Sequence, residues 1–411
     1  NKGNKNESKN YRGIVVLPIL CKILEYIARI NFRPVLLKNQ SPLQRGFTPN
    51  TSPLNAAVIF EEVYRQYSDK NCPFYIALLD AKSAFDVVII NMLMRKLFLL
   101  DIDPTTWSLI DDLHLNTSCI IKWKNQLSKE FKGCKIGHIN INAVACADDI
   151  AVLSDNPYDL QILINHALQY SQLHHYTLQP QKSVIIEVDN KTRKATNHNC
   201  VFNLNNQEMP NVTSSSHLGI IRSTSRMKSE TLHVEQNTTK ARRTAYSLLS
   251  AGFHGTNGLD PVTSISIYKT YIQPVLTYGL EILQPGPSNM TKLEKFQKSL
   301  LKKVLSLPPN TPDPAIYIIS GVLPIEASID TKCLTLFNNI CRQDDKSVEK
   351  QLAYRQLHIE LDSSSSWYVI TKKLLYKYGF SDIFQFLDNP PSKYEWKKLV
   401  QKRWIHTGFK E

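Results

Sequence analysis

The chain has 411 residues, 42% of them apolar and 21% charged, which excludes a largely disordered protein and leaves room for two or three domains. Its 49 Lys and Arg outweigh 36 Asp and Glu for a formal charge of +13, a surplus that suits polyanionic partners, nucleic acid ahead of an anionic membrane surface. The eight cysteines form no CxxC pair and no zinc-finger spacing, which points to reduced thiols in an intracellular protein without structural zinc.

In chain order, the opening NKGNKNESKNYR is polar and lacks an initiating methionine, so it reads as part of a longer chain with no signal peptide. The longest apolar window, GIVVLPILCKILEYIARI, is interrupted by Pro18 and Lys22 and is too broken to span a membrane. FYIALLDAKSAFDVVIINMLMRKLFLL predicts a buried strand from Phe74 to Leu79 that ends at Asp80, then a helical period after Asp86. NAVACADDIAVLSD, residues 142–155, places Asp148 and Asp149 between two short apolar runs, the pattern of a hairpin with carboxylates at its tip. Asn156 and Pro157 then supply an N-cap and a first helical residue. TKLEKFQKSLLKKVLSL predicts an amphipathic helix with Leu293, Phe296, Leu300, Leu301 and Val304 on one face. Lys292, Lys295, Lys298, Lys302 and Lys303 cover the rest, either as a solvated face or as a surface for backbone phosphates. Serine-rich patches at 213–216 and 363–366 read as loops, and the lysine-rich tail with Trp367, Trp396 and Trp404 suggests no chemistry.

If the two strands neighbour each other, Asp80 and Asp148 sit side by side, and carboxylates that close stay ionised only around a cation. Oxygen-only ligands suit Mg²⁺, which keeps its waters and takes one or two carboxylates with substrate phosphates. Two such ions, with Mn²⁺ as a substitute, support nucleotidyl transfer to a 3′-hydroxyl. A bare Asp-Asp pair is weak evidence, since Asp111-Asp112 and Asp344-Asp345 also occur. The weight falls on its combination with Asp80 and the Ala84-Phe85-Asp86 that follows.

LLDAKSAFD followed by CADD resembles motifs A and C of reverse transcriptases from non-LTR retrotransposons, the jockey-like or LINE type. NYRGIVVLPILCKILEYI (10–27) and QRGFTPNTSPLNAA (44–57) resemble the finger segments before motif A. LQPQKSVII (178–186) resembles motif D, SSHLGIIRS (215–223) the turn of motif E, and YKTYIQPVLTYGLEIL (268–283) the thumb-side helix. The resemblance covers most of residues 10–345. It implies an α+β fold of right-hand polymerase architecture: fingers and palm with an antiparallel sheet over 1–225, a helical thumb and post-thumb region over 226–345, and a basic C-terminal extension of unassigned role over 346–411. It further implies Asp80, Asp148 and Asp149 as the acids that bind two Mg²⁺, and Lys182 as the proton donor to the leaving pyrophosphate. Phe85 would be the gate against a 2′-hydroxyl, with Ala81 beside the nucleotide. Arg12 and Arg45 would meet the incoming triphosphate, and Leu218 and Gly219 would grip the primer. The implied partners are an RNA template, a DNA primer and a dNTP, with no membrane; Cys146 stands where many relatives have tyrosine.

Between motifs A and C the family carries motif B, a Gln-Gly loop and Ser-Pro before a helix, whose glycine lets backbone approach the nascent base pair. WKNQLSKEFKGCKIGHININAVACADD contains neither dipeptide, and KGCKIGHIN reads as the strand leading into motif C. The element reads as deleted at about residue 131 or 132, leaving a truncated palm, and the 68 positions from Asp80 to Asp148 leave no room for it elsewhere. The resemblance therefore implies an RNA-directed DNA polymerase by family whose own turnover is lost. The alternative is a non-catalytic RNA- or DNA-binding remnant of such an element.

Overall fold

The computed structural model describes residues 19–81, 89–114, 134–136, 139–141, 143–188, 200–380 and 382–407. Ten strands and sixteen α-helices occur among them. The chain divides into two compact units that interleave along the sequence. Among the described residues no helix is long and apolar enough to cross a membrane.

One unit contains α1 (Ile19–Asn39), α3 (Ile90–Leu99) and α4 (Pro104–His114). Ala28, Met94, Leu97, Ile102 and Ile110 form its core, with Phe32 and Trp107 packed on it. The indole N–H of Trp107 donates to the Met94 carbonyl at 2.9 Å, and Asn31 Nδ2 donates to Thr106 Oγ1 at 3.1 Å. These bonds fix α1 and α3 against α4.

The other unit holds the rest of the described chain, apart from residues 166–179 at the end of α5 and just beyond it. It begins with α2 (Pro53–Asp69), in which every residue from Asn55 to Tyr67 is buried. A helix buried all round must be covered by several elements. Those elements include β1 (Phe74–Leu79), and β4 (Ala143–Cys146) after the short pair β2 (Cys134–Ile136) and β3 (Ile139–Ile141). β5 (Asp149–Ser154) follows at once, then α5 (Pro157–Leu173) and β6 (Val184–Val188). The sheet runs β4-β5-β1-β6 with every neighbour antiparallel. β1 is FYIALL, six apolar residues all buried, as a central strand covered on both faces requires. β2 and β3 pair antiparallel with each other before β4, where a single strand was expected.

Two more hairpins follow, β7 (Asn203–Leu204) with β8 (Gln207–Glu208), and β9 (Ser214–His217) with β10 (Ile220–Ser223). Helices then dominate: α6 (Arg226–Ser247), α7 (Pro261–Ile267), a π-helical turn (Tyr268–Ile272), α8 (Gln273–Thr277), α9 (Leu280–Leu283), α10 (Pro287–Val304), α11 (Asp313–Ser320) and α12 (Ile325–Cys341). Val234, Tyr268, Ile272, Leu293, Leu301 and Ile325 belong to a second core under these helices. The single helix expected over 268–283 is broken at Tyr278 (ψ 128°) and Gly279 (φ 75°). The break frees the Tyr278 carbonyl, which Asn237 Nδ2 reaches at 2.8 Å and His233 Nε2 at 2.8 Å.

The last helices are α13 (Val348–Ile359), α14 (Trp367–Lys377), α15 (Phe384–Asp388) and α16 (Lys393–Thr407). They do not form an appendage. Trp367 and Trp396 are fully buried in the same core as α2 and the four-stranded sheet. Their indole N–H groups donate to Glu281 O at 2.8 Å and Leu334 O at 3.0 Å.

Polar groups inside α2 hold these pieces together. Arg65 Nε donates to Glu61 Oε1 at 2.8 Å, Arg222 of β10 pairs with Glu61 Oε2, and all three side chains are buried. Burial alone would raise the Glu61 carboxyl, but the two guanidinium groups outweigh it and hold it below its ordinary value. Glu62 accepts from the Trp367 N–H, from Ser366 Oγ at 2.9 Å and from Gln356 Nε2 at 3.0 Å. It thereby satisfies an orphan N–H at the start of α14. Asp69 accepts from the Ser365 N–H at 2.9 Å and its Oγ at 2.8 Å, so the serine run at 363–366 is pinned to the end of α2. Replacing Glu61 by Ala leaves two buried guanidinium groups without their counter-charge. That change is expected to cost about 3–5 kcal/mol, seen as a lower denaturant midpoint at unchanged slope in urea unfolding.

Candidate active site

β1 and β5 pair antiparallel down to Leu79 opposite Ile150. Continued by one residue, that register would set Asp80 opposite Asp149. β4 returns into β5 through the two-residue turn Ala147-Asp148, with Cys146 opposite Asp149. Ala147 takes φ 61°, a left-handed conformation that costs an alanine about 1 kcal/mol. Asp80 and Asp148 are half-buried and Asp149 is exposed. Burial, then the Asp149 and Asp148 carboxylates, push the Cys146 thiol above its ordinary pKa, so the small residue in place of tyrosine lies within reach of both charges.

On the other side of β1, the Asp80 N–H donates to Ser183 Oγ at 3.0 Å. Lys182, the next residue, is exposed in the turn before β6. The register thus puts Asp80, Asp148 and Asp149 at neighbouring strand ends, and Lys182 in the turn next to Ser183. Among the described residues no group of three or more His, Cys, Asp or Glu side chains stands close enough to hold a metal ion, these three acids included. The fit to Mg²⁺ rests on donor chemistry, carboxylate oxygens at adjoining strand ends.

The β9–β10 hairpin closes with Leu218 (φ 53°) and Gly219 (φ 77°), two left-handed residues as a tight two-residue hairpin turn demands. Tyr278 Oη donates to the Leu218 carbonyl at 2.9 Å. Burial, then the Glu281 carboxylate and the Cys146 thiol, raise the Tyr278 phenol. Tyr278, which no sequence motif singled out, thus lies between the Leu218-Gly219 turn and the Cys146–Asp149 turn.

Arg45, expected at the incoming triphosphate, is buried with its guanidinium engaged. Its Nε donates to Glu349 Oε1 at 2.7 Å, Nη2 also pairs with Glu349, and Nη1 donates to Pro42 O at 3.1 Å. A phosphate would have to displace Glu349 from a buried ion pair. Ala81 follows Asp80 and bridges to Leu178. Arg12, Phe85 and the point of the expected motif B deletion, 131–132, lie outside the described residues.

A second feature lies between α6 and α10, a groove of about 560 Å³ lined by Arg242, Tyr246, Lys292, Lys295, Phe296 and Lys303, among others. The Arg242 guanidinium lies 5.9 Å from the Phe296 ring centre. Of the five lysines expected around α10, Lys298 pairs with Asp313 at 2.6 Å and Lys302 donates to Pro309 O at 2.6 Å. The other three line the groove. Leu293, Leu301 and Val304 are buried as expected, whereas Phe296 and Leu300 border the groove. Arg242 and Tyr246 on α6 were not anticipated, because only folding brings them beside α10.

Residues 2–140 match the family model for reverse transcriptase (RNA-dependent DNA polymerase). The matched stretch contains Asp80 and the Gln44–Gly46 segment and ends before Asp148. The comparison with curated proteins found no match.

Two buried histidines make the hairpin region sensitive to acid. Burial, then Arg222, push His217 down to about 3, and both its ring nitrogens lack a hydrogen-bond partner. Burial, partly opposed by the bond to Tyr278, pushes His233 down to about 4. Both are neutral in the fold, while the unfolded chain binds protons below about pH 6.5. Their stabilisation is therefore complete above pH 6.5 and is lost as pH falls toward 4 and then 3, by roughly 2 kcal/mol each at pH 5. Thermal melts are expected to show a lower midpoint at pH 5 than at pH 7, with the difference reduced in a His217→Leu variant.

Proposed function

We propose that the chain is the reverse-transcriptase module of a non-LTR retroelement, built for RNA-directed DNA synthesis, in which Asp80, Asp148 and Asp149 are the metal-binding acids. The observation that carries this reading is the antiparallel strand pairing whose register leads Asp80 toward the Asp148-Asp149 turn, in a sheet of which β1 falls within the matched family region. Mg²⁺ held by these carboxylates would supply the Lewis acidity that activates a primer 3′-hydroxyl and steadies the leaving pyrophosphate. Lys182 would protonate that pyrophosphate, and the Leu218-Gly219 turn would lie along the primer. Missing motif B removes a wall that aligns template and dNTP, and misalignment by ~1 Å can already cost ~100-fold in rate.

On poly(rA)/oligo(dT) with dTTP and Mg²⁺, primer extension is expected to run at least about 100-fold slower than by an intact reverse transcriptase. Whatever extension remains should vanish in the Asp148→Ala/Asp149→Ala variant. Extension that survives that double change would remove the carboxylates from the mechanism, and extension at full rate would remove the argument from motif B.

The groove between α6 and α10 favours a second reading, a nucleic-acid-binding module that no longer turns over. Three lysines, one arginine and two aromatic rings along one groove suit phosphates beside stacked bases or sugars. Binding of an RNA–DNA duplex is expected to weaken steeply with salt. Reversing Arg242, Lys292 and Lys295 to Glu should flatten that dependence by about one unit of slope per lost phosphate contact. The Asp148→Ala/Asp149→Ala variant should bind like the parent in the same titration.

A further inference from the structure

The Cys146–Asp149 turn is held from behind by a segment that no motif assigned to it. Gln44 and Ala145 form a parallel bridge, in which the Arg45 N–H donates to Ala145 O at 2.8 Å and the Ala145 N–H to Leu43 O at 3.1 Å. The Gln44 side chain then grips both peptide groups of the left-handed Ala147. Its Oε1 accepts the Ala147 N–H at 3.0 Å and the Gly46 N–H at 2.8 Å, and its Nε2 donates to the Ala147 carbonyl at 3.3 Å. Gln44 is 2% exposed, so these bonds form away from competing water. Gly46 fits because a Cβ there would fall 2.8 Å from Ala147 Cα and 2.9 Å from the Cys146 carbonyl carbon, and closer still to the Ala147 nitrogen. The same segment is anchored on its far side, where Arg45 pairs with Glu349 at the start of α13.

We infer that Gln44 is a positioning residue for the Asp148-Asp149 turn, and that the Arg45–Glu349 pair makes the C-terminal helices part of the same support. The physical reason is that Ala147 sits in a conformation alanine disfavours, immediately before the two acids. Without an outside grip the turn would relax and swing both carboxylates away from Asp80. Gln44 fills the role that outer groups play for metal ligands generally: it touches no ligand, yet sets the direction in which the acids point. The inference rests on the metal-site reading above.

The test pairs amide hydrogen exchange with Mn²⁺ titration followed by electron paramagnetic resonance, using the full chain. Gln44→Leu keeps size and removes the grip, and Gly46→Ala pushes the same segment off the turn. Arg45→Met/Glu349→Met removes both partners of the buried pair, which avoids stranding one charge. In Gln44→Leu the Ala147 amide should exchange about five- to tenfold faster, the loss of one hydrogen bond. Mn²⁺ affinity should fall about tenfold or more, the usual effect of removing support from behind a metal ligand. Gln44→Glu, which restores the acceptor for the Ala147 N–H, should recover the slow exchange. Unchanged exchange at Ala147 would overturn the grip, and faster exchange with unchanged Mn²⁺ affinity would overturn its positioning role. A parent that binds no Mn²⁺, or an Asp148→Asn variant that binds it equally well, would overturn the metal-site reading instead, while the exchange data still decide the grip.

Discussion

The larger unit is organised by a carboxylate with no access to water. Glu61 lies in the middle of a helix buried from Asn55 to Tyr67, and a charge placed there is tolerable only with counter-charges and donors already in position. Arg65, one turn along, provides one and Arg222 on β10 the other. Arg222 also lies over the Phe60 ring, 4.3 Å from its centre. Arg65 turns its remaining donors outward from the helix, to the Ile282 carbonyl at 2.8 Å, the Leu283 carbonyl at 3.1 Å and the Ser365 carbonyl at 2.8 Å. One ion triad thus specifies where β10, α9 and the loop before α14 must sit around α2. Apolar side chains of similar volume could fill the space, but they would accept many alternative registers; the polar arrangement accepts one.

The site inherits its geometry from that arrangement. β1 packs on α2 and ends at Asp80; the segment just before α2 bonds to β4; and the β9–β10 hairpin that carries Leu218 and Gly219 continues into the strand bearing Arg222. Three pieces expected to handle metal, turn and primer are therefore tied to one buried helix from different sides. Tyr278 closes the set, since the break at Tyr278-Gly279 exposes its carbonyl to His233 and Asn237 while its hydroxyl holds Leu218. A straight helix over 268–283 would have kept that carbonyl within its own ladder and cost Asn237 its shortest hydrogen bond.

What the sequence made legible follows from how local each signal is. The strand ending in Asp80, the Ala147-Asp148 turn with Asp149 behind it and the Asn156-Pro157 helix start are written within a dozen residues each, in alternation, turn chemistry and capping. The buried face of α10 was equally local. Some misreadings were local: Ser214–His217, in the serine patch read as a loop, forms strand β9, and the helix expected over 268–283 breaks at Gly279. Others are long-range. The serine run at 363–366 is a loop, as read, but nothing in it marks Asp69 and Glu62, about 300 residues away, which accept its donors. Arg45 looks like a phosphate ligand because an arginine before a glycine carries no mark of the Glu349 it meets 304 positions later. The tryptophans of the C-terminal segment suggested no chemistry because their work is structural, filling the core and bonding to carbonyls of α9 and α12.

The two candidate functional features stand on different cores. The Cys146–Asp149 turn and its supports pack on the cluster built from α2, the four-stranded sheet and the C-terminal helices, whereas the basic groove is formed by α6 and α10 over the cluster containing Leu293, Leu301 and Tyr268. Under the proposed reading, an element missing between β1 and β4 would alter the surface around the carboxylates, yet it would touch no side chain that shapes the groove. Charge on the groove also needs no sub-ångström alignment, because attraction to phosphate falls off over a Debye length of about 8 Å at physiological salt, whereas in-line transfer is sensitive to about 1 Å. Catalysis and binding therefore tolerate sequence loss very differently in this fold. The ion triad of α2 holds the architecture, and with it the groove, by contacts that do not depend on the geometry needed for turnover.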